Sequence, residues 1–302
     1  MPSPSDKITA ALSEVRILIL GSQILLGFQF HAVFQPNFSQ LPETARVLDC
    51  VAYGLMLIAA ILFLVPGSFH RLAEGGDDTL RLHRLTTSVA PIALLPFGLC
   101  LGIDEYIVAG KILGDALAVT AGLLLSAVAF AAWFVIELIR REREAHQVGE
   151  KIVRTSLKEK IGTLGTEIRV VLPGAQALLG FQFAAFLSDA FERLPYISKA
   201  VHFGSVTTMA VAVVLLMAPA AFHRIAAGGD DTREVDLFGT YAMLSAMLFV
   251  ALSMCGDFYV ILMMVTGAQA IAIVCPIVAL SIAYALWFGF PLASRGRARS
   301  IA

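Results

Sequence analysis

The sequence predicts an all-α protein: a polytopic transmembrane helical bundle whose eight spans form two parallel four-helix repeats. Three observations carry this. Hydrophobic residues make up 58% of the 302-residue chain, charged residues 15%, and mean hydropathy is +0.80, well outside the range of water-soluble domains. Eight apolar stretches each approach the roughly 20 residues that cross a hydrocarbon core as a helix. The first half of the chain recurs in the second at a fixed offset.

The eight stretches are 16–35, 47–70, 85–103, 108–138, 168–187, 200–223, 236–255 and 259–290. They are continuous, without the period-two alternation of a membrane barrel, so helices are expected. The fourth and eighth are longer than a bilayer requires, which implies tilt, extension beyond the membrane or an interfacial start. Pro91, Pro96 and Pro276 mark expected kinks. The first run, from near Ile17, is followed by Gln29, His31 and Pro36 and not by a small-residue cleavage site, so it is expected to stay as a membrane helix. Lys and Arg are retained on the cytoplasmic side of membranes. Of the 22 basic residues, only Arg46, Lys111, Arg193 and Lys199 fall on one side, so both termini are expected to be cytoplasmic.

An offset of 153 residues aligns Glu14–Thr79 with Glu167–Thr232 without a gap, and 27 of the 66 positions are identical. The register extends back to Asp6-Lys7-Ile8 against Glu159-Lys160-Ile161, which predicts a short pre-membrane helix in each unit. The expected organisation is a first membrane repeat over 1–139, a charged cytoplasmic or interfacial linker over 140–166 and a second repeat over 167–302. An even number of spans per unit makes the copies parallel, related by a pseudo-twofold axis along the membrane normal. A single-copy relative would be expected to homodimerise, and the fused chain is compatible with further homo-oligomerisation.

Three polar features recur in both halves. A glutamine motif on each opening helix places Gln23 and Gln29 in one copy and Gln176 and Gln182 in the other. Amides in hydrocarbon need hydrogen-bond partners, and neighbouring glycines let helices approach closely, so the motif reads either as interhelical glue or as the lining of a polar pathway between the repeats. The most faithfully repeated motif is Phe69-His70-Arg71-x-Ala73-x-Gly75-Gly76-Asp77-Asp78-Thr79 against Phe222-His223-Arg224-x-Ala226-x-Gly228-Gly229-Asp230-Asp231-Thr232. Glycine ends a helix and Asp or Thr caps the next one, which accounts for a tight cytoplasmic turn. The alternative is a ligand or cation site built from His70, Arg71, Asp77, Asp78 and His83, matched by His223, Arg224, Asp230, Asp231 and Asp236. Which metal would bind, if any, stays open. Asp236 stands where His83 would recur, which argues against a duplicated bis-histidine haem. The third feature is Asp104, Glu105 and Tyr106, echoed by Asp257 and Tyr259, read as helix capping at a short outward turn.

Among unduplicated groups, Lys111 and Asp115 are four apart and expected to pair on one helical face, and His31 is expected to be a hydrogen-bonded structural histidine. Cys50, Cys100, Cys255 and Cys275 read as small buried hydrophobes. The net charge of −1 gives nucleic acid no basic face to bind. With no catalytic triad, HExxH, phosphate loop or dinucleotide fingerprint, no enzyme activity and no cofactor are expected. The stretch Arg169-Val-Val-Leu-Pro-Gly-Ala-Gln-Ala-Leu-Leu-Gly-Phe-Gln182, followed by Phe191-x-x-Leu194 and Leu216-Met-Ala-Pro-Ala-Ala-Phe-His-Arg224, resembles a family of uncharacterised bacterial four-span membrane proteins, a domain of unknown function. The resemblance covers nearly all of each half, the family usually occurring as a single copy. It implies a bacterial inner membrane, with the lipid bilayer as partner. Two functions fit: a passive channel or transporter for a small ion or solute, with no carboxylate in the middle of any span to couple it, or a non-catalytic scaffold or accessory subunit.

Overall fold

A computed structural model describes residues 4–77, 79–135, 156–225, 227 and 230–299, and all side chains within them except those of 4–14, 16, 17, 132, 135, 224, 225 and 296–299. Every regular element among these residues is helical. The first unit comprises α1 (Pro4–Ala32), a 3-10 turn (Phe38–Gln40), α2 (Glu43–Leu72), α3 (Leu80–Leu113) and α4 (Asp115–Phe130), which passes into a π-helical turn at Ala131–Val135. The second comprises α5 (Leu157–Phe186), a one-turn α6 (Asp189–Glu192), α7 (Tyr196–Ile225), α8 (Arg233–Thr266) and α9 (Gln269–Tyr284). A π-helical turn at Ala285–Gly289 then leads into α10 (Phe290–Arg299). The order of elements is that of the duplication. Part of the 140–166 linker lies outside the described residues, but α5 already begins at Leu157, where Ser156 and Glu159 form a reciprocal capping box.

Among the described residues, six helical segments are long and apolar enough to cross a membrane: Glu43–Leu72, Leu80–Leu113, Leu157–Phe186, Tyr196–His223, Arg233–Thr266 and Gln269–Arg295. The other two expected spans contain shorter apolar helices, Leu18–Ala32 and Asp115–Phe130. No separate pre-membrane helix forms, because α1 and α5 run unbroken from their charged starts into their apolar portions.

The boundaries of the third and seventh spans differ most from expectation. Both helices continue through the predicted outward turn, and the chain reverses only at Gly114 (φ +85°) and Gly267 (φ +62°), where positive φ favours glycine. Asp104 and Asp257 are therefore helix-interior residues and not caps. Lys111 and Asp115 do not share a helix either, since Gly114 separates them and both are exposed. The prolines at 66, 91, 96, 173, 219 and 276 lie inside helices that run on through them.

The two units meet chiefly where α1 packs on α5, and α2 packs on α8. The buried core is continuous across both, with Leu26, Phe30, Tyr53, Met56 and Phe63 from one unit and Leu178, Met209, Met254 and Trp287 from the other. Outward-facing positions are also apolar: Leu123, Phe203, Val214 and Tyr241 are each about two-thirds exposed or more. That is the reverse of a water-soluble surface. One contact in the α1–α5 seam shows how the repeats depart from symmetry. A Cβ on Gly174 would collide with the amide of Gln23, so the glycine makes room for the glutamine. The counterpart Gln176 is exposed and the counterpart Gly21 has no neighbour within 4 Å.

Candidate functional site

Each repeat holds a glutamine–carboxyl pair assembled from two of the duplicated features, buried throughout in the second repeat and half-buried at Asp104 in the first. Gln29 on α1 donates through Nε2 to both Asp104 oxygens on α3, at 3.1 and 3.0 Å, and lies 2.9 Å from Cys100 Sγ. Gln182 on α5 donates through Nε2 to Asp257 Oδ2 on α8 at 2.7 Å and to Ser253 Oγ at 2.8 Å. The glutamine and acid are 75 residues apart in each case, so the pairing is part of the repeated fold. Each acid lies nine residues before its helix ends, about 14 Å along the axis at 1.5 Å per residue. Buried polar groups are costly unless hydrogen-bonded, and the amide is what lets each carboxyl sit here.

A third residue completes each node, and here the copies diverge. Asp49 on α2 and His202 on α7 occupy equivalent positions, each six residues into its helix. Asp49 is buried within electrostatic reach of Asp104, and its Oδ2 has no hydrogen-bond partner among the described residues. His202 is 1% exposed and ringed by Phe30, Phe34 and Phe191 at centroid distances of 5.6, 6.2 and 5.3 Å. Its Nε2 donates to the Gln182 carbonyl oxygen at 3.1 Å. That bond puts the ring proton on Nε2 and leaves the Nδ1 of a neutral ring an acceptor. Nδ1 faces Asp257 Oδ1 at 3.9 Å, and neither atom has a hydrogen-bond partner among the described residues. Asp257 is fully buried. Asp49, Asp104 and Asp257 all lie within apolar helices, each displaced from the midpoint toward one helix end, so the middle of these spans carries none of them. Asp49 and His202 carried a signal in the sequence, an ionisable residue at the same repeat position inside an apolar run.

At the opposite end of the bundle the Gly75 turn is built as a structural joint. Gly75 and Gly76 have φ of +63° and +80°, Gly76 N donates to the His70 carbonyl at 3.0 Å, and Thr79 Oγ1 caps α3 by accepting from Leu82 N at 3.2 Å. Thr232 caps α8 in the same way, from Val235 N at 3.3 Å. Two residues from the motif turn inward and cross to the other repeat. His70 Nδ1 lies 2.7 Å from Glu167 Oε1, and Arg71 Nε donates to Glu167 Oε2 at 2.6 Å. Arg71 also reaches Asp236 Oδ1 at 3.5 Å, and Lys160 pairs with Asp77 at 2.7 Å. Sequence reasoning did not single out Glu167, although it opens the gap-free repeat and is identical to Glu14.

The candidate ligand sets do not come together as expected. His83 on α3 is half-buried and takes no part in the His70 cluster. His223 lies 3.6 Å from Asp231, Asp230 is exposed, and Asp236 faces the other repeat's Arg71. Asp78 and the Arg224 side chain lie outside the described residues. No group of three or more potential metal ligands forms among the described residues. The four glutamines are likewise not brought onto one pathway: Gln23 is wedged against Gly174, Gln176 is exposed, and Gln29 and Gln182 each bind an acid of their own repeat. His31 accepts a hydrogen bond from Gln35 Nε2 at 2.6 Å. Cys50, Cys100 and Cys255 are buried free thiols, and Cys275 is half-buried.

A duplicated, membrane-like helical bundle with a glutamine–carboxyl node in each half is the class that this fold and site define. The chain belongs to the family of unknown function DUF6328, which it matches twice, over residues 7–137 and 155–291, so the family's domain is present in tandem. No curated protein and no solved structure matches it.

Proposed function

We propose that this chain is an eight-span integral protein of a bacterial inner membrane, with both termini cytoplasmic, and that it passes a small ion by way of the buried node in each repeat. The proton fits the chemistry best. The observation that carries this reading is the facing pair His202 Nδ1 and Asp257 Oδ1, 3.9 Å apart and fully enclosed. Two acceptor atoms held face to face are satisfied by one proton between them, and ionisable groups inside a membrane mark ion and proton paths more often than packing sites. Asp49 and Asp104 are the corresponding groups of the first repeat, where Asp49 is buried with its Oδ2 unpartnered among the described residues, and carboxyl groups that interact can share one proton. The path assigned here runs within each repeat and not along the axis between them, where Gln23 fills the seam. The protein performs no covalent chemistry of its own, takes no cofactor and does not bind nucleic acid.

The test is proton influx into proteoliposomes containing the purified full chain, driven by a potassium diffusion potential and read with an enclosed pH dye. The wild type should exceed empty liposomes, and Asp104→Asn with Asp257→Asn should fall to the empty level while keeping Trp287 fluorescence and a monodisperse profile. Wild-type flux at the empty level, or full flux in the double variant, would sink the proposal. The Gln23–Gly174 seam and the Glu167 cluster favour a second reading, a non-catalytic scaffold. In that case neither protein conducts, and the double variant loses thermal stability instead.

A further inference from the structure

A second site lies at the end of the bundle opposite the Gly75 turn. A cavity of about 290 Å³ opens where the α1–α2 connection, the α5–α7 connection and the end of α8 meet, and its lining includes Arg46 and Arg193 together with Phe38, Ser39, Met263 and Met264. No Asp or Glu lines it, and neither arginine side chain makes an ion pair or hydrogen bond to another described residue. Arg46 Nε is shielded from solvent without a partner. Leaving a shielded guanidinium N–H unmet costs free energy.

The duplication supplies an internal control. In the second repeat Lys199, the counterpart of Arg46, is paired with Glu192 at 3.2 Å. The counterpart of Glu192 is Ser39, so the first repeat keeps the cation and lacks its acid. Ser39 and Arg46 both line the cavity, and Arg193, whose own counterpart is the neutral Gln40, adds a second positive charge. We infer that this cavity binds an amphipathic anion, with a phosphate or carboxylate head at Arg46 and Arg193 and an adjoining carbon chain on Phe38, Met263 and Met264. Guanidinium groups recognise such heads through charge-assisted hydrogen bonds. The volume suits a small ligand or the head and first carbons of a larger one. This site is independent of the ion path proposed above.

The test is isothermal titration of the full-length protein in neutral detergent with hexyl phosphate, with inorganic phosphate as the head-only comparison. One site per chain is expected, with affinity for hexyl phosphate at least about tenfold above that for inorganic phosphate, the difference of roughly two buried methylenes. Arg46→Gln with Arg193→Gln should weaken hexyl phosphate at least about tenfold, through loss of two charge-assisted contacts. Ser39→Glu keeps both arginines and restores the acid of the second repeat at an exposed position, and it should weaken binding comparably without loss of fold. Competition by a short-chain phosphatidylglycerol identifies the ligand as a membrane lipid head, and its failure to compete identifies a free amphiphile. Absence of saturable hexyl phosphate binding, or binding unchanged in Ser39→Glu and in the double arginine variant, overturns the inference.

Discussion

Glu167→Leu tests the cross-repeat cluster most directly. Glu167 is 5% exposed and Arg71 4%, and the carboxylate takes two short contacts, from Arg71 Nε at 2.6 Å and His70 Nδ1 at 2.7 Å. Removing one partner of a buried ion pair costs about 3–5 kcal/mol, because the other charge stays buried. Arg71 would keep two longer contacts, to Asp236 at 3.5 Å and to the Lys160 carbonyl at 3.4 Å, which places the loss near 3 kcal/mol, the lower end of that range. Replacing both partners with apolar groups is often close to neutral, so Glu167→Leu with Arg71→Met should be less destabilised than the sum of the single changes. His70 still loses an acceptor in the double variant, a residual cost of about 1–2 kcal/mol. The coupling energy should then be at least about 1.5 kcal/mol, well above the few tenths expected of independent sites. Unfolding in mixed micelles can be followed by fluorescence, since Trp287 is fully buried. Single variants within about 0.5 kcal/mol of wild type, or additive losses, would refute the reasoning.

Gly174→Ala should destabilise by about 1–3 kcal/mol, since its Cβ would come within 2.8 Å of Gln23 Cβ as well as striking the amide. Gly180→Ala, with open space around it, should be neutral or stabilising by up to about 1 kcal/mol from helix propensity, so opposite signs in one thermal-shift series check the seam. Thr79→Ala and Thr232→Ala should each cost about 1 kcal/mol by removing the N-caps of α3 and α8, and the losses should add because the sites share no partner. Trp287→Phe removes the 2.8 Å hydrogen bond from Nε1 to the Ile61 carbonyl and should cost about 1–3 kcal/mol when unfolding is followed by circular dichroism, which does not depend on that tryptophan, against no change if Phe packs equally well.

Features set by neighbours in sequence were legible, and those set by distant partners were not. The repeat, the glycine-rich turns and the glutamine motif are local patterns, so their positions could be read from residue type and spacing. Asp104 and Asp257 were misplaced because an acid between two apolar runs resembles a loop. What keeps the helix intact there is an amide 75 residues away that satisfies the carboxyl, followed by a glycine that supplies the real break ten residues later. Lys111 and Asp115 fail in the opposite sense: their spacing of four suits a helix, but Gly114 between them removes it. Glu167 was passed over because it borders a strongly charged segment, where a buried acid is not anticipated. Only the crossing of α2 to the second repeat brings His70 and Arg71 to it.

The departures from symmetry explain what a fused pair of repeats can do that a dimer of single copies cannot. In an isologous dimer each contact across the axis is made twice by the same residues, so a side chain suited to one face must be tolerated on the other. Tyr53 stacks on Phe258 and donates to the Met254 carbonyl at 3.4 Å, where its counterparts are Val206, Glu105 and Leu101. A tyrosine at 206 would face an acid and find no ring to stack on. Trp287 closes on Ile61 from the second repeat alone, its counterpart being Phe134, which has no N–H to donate. The same freedom places Asp49 in one copy and His202 in the other, so the two nodes carry different ionisable groups at one repeat position. Joining the copies in one chain removes the requirement that both halves carry the same residue.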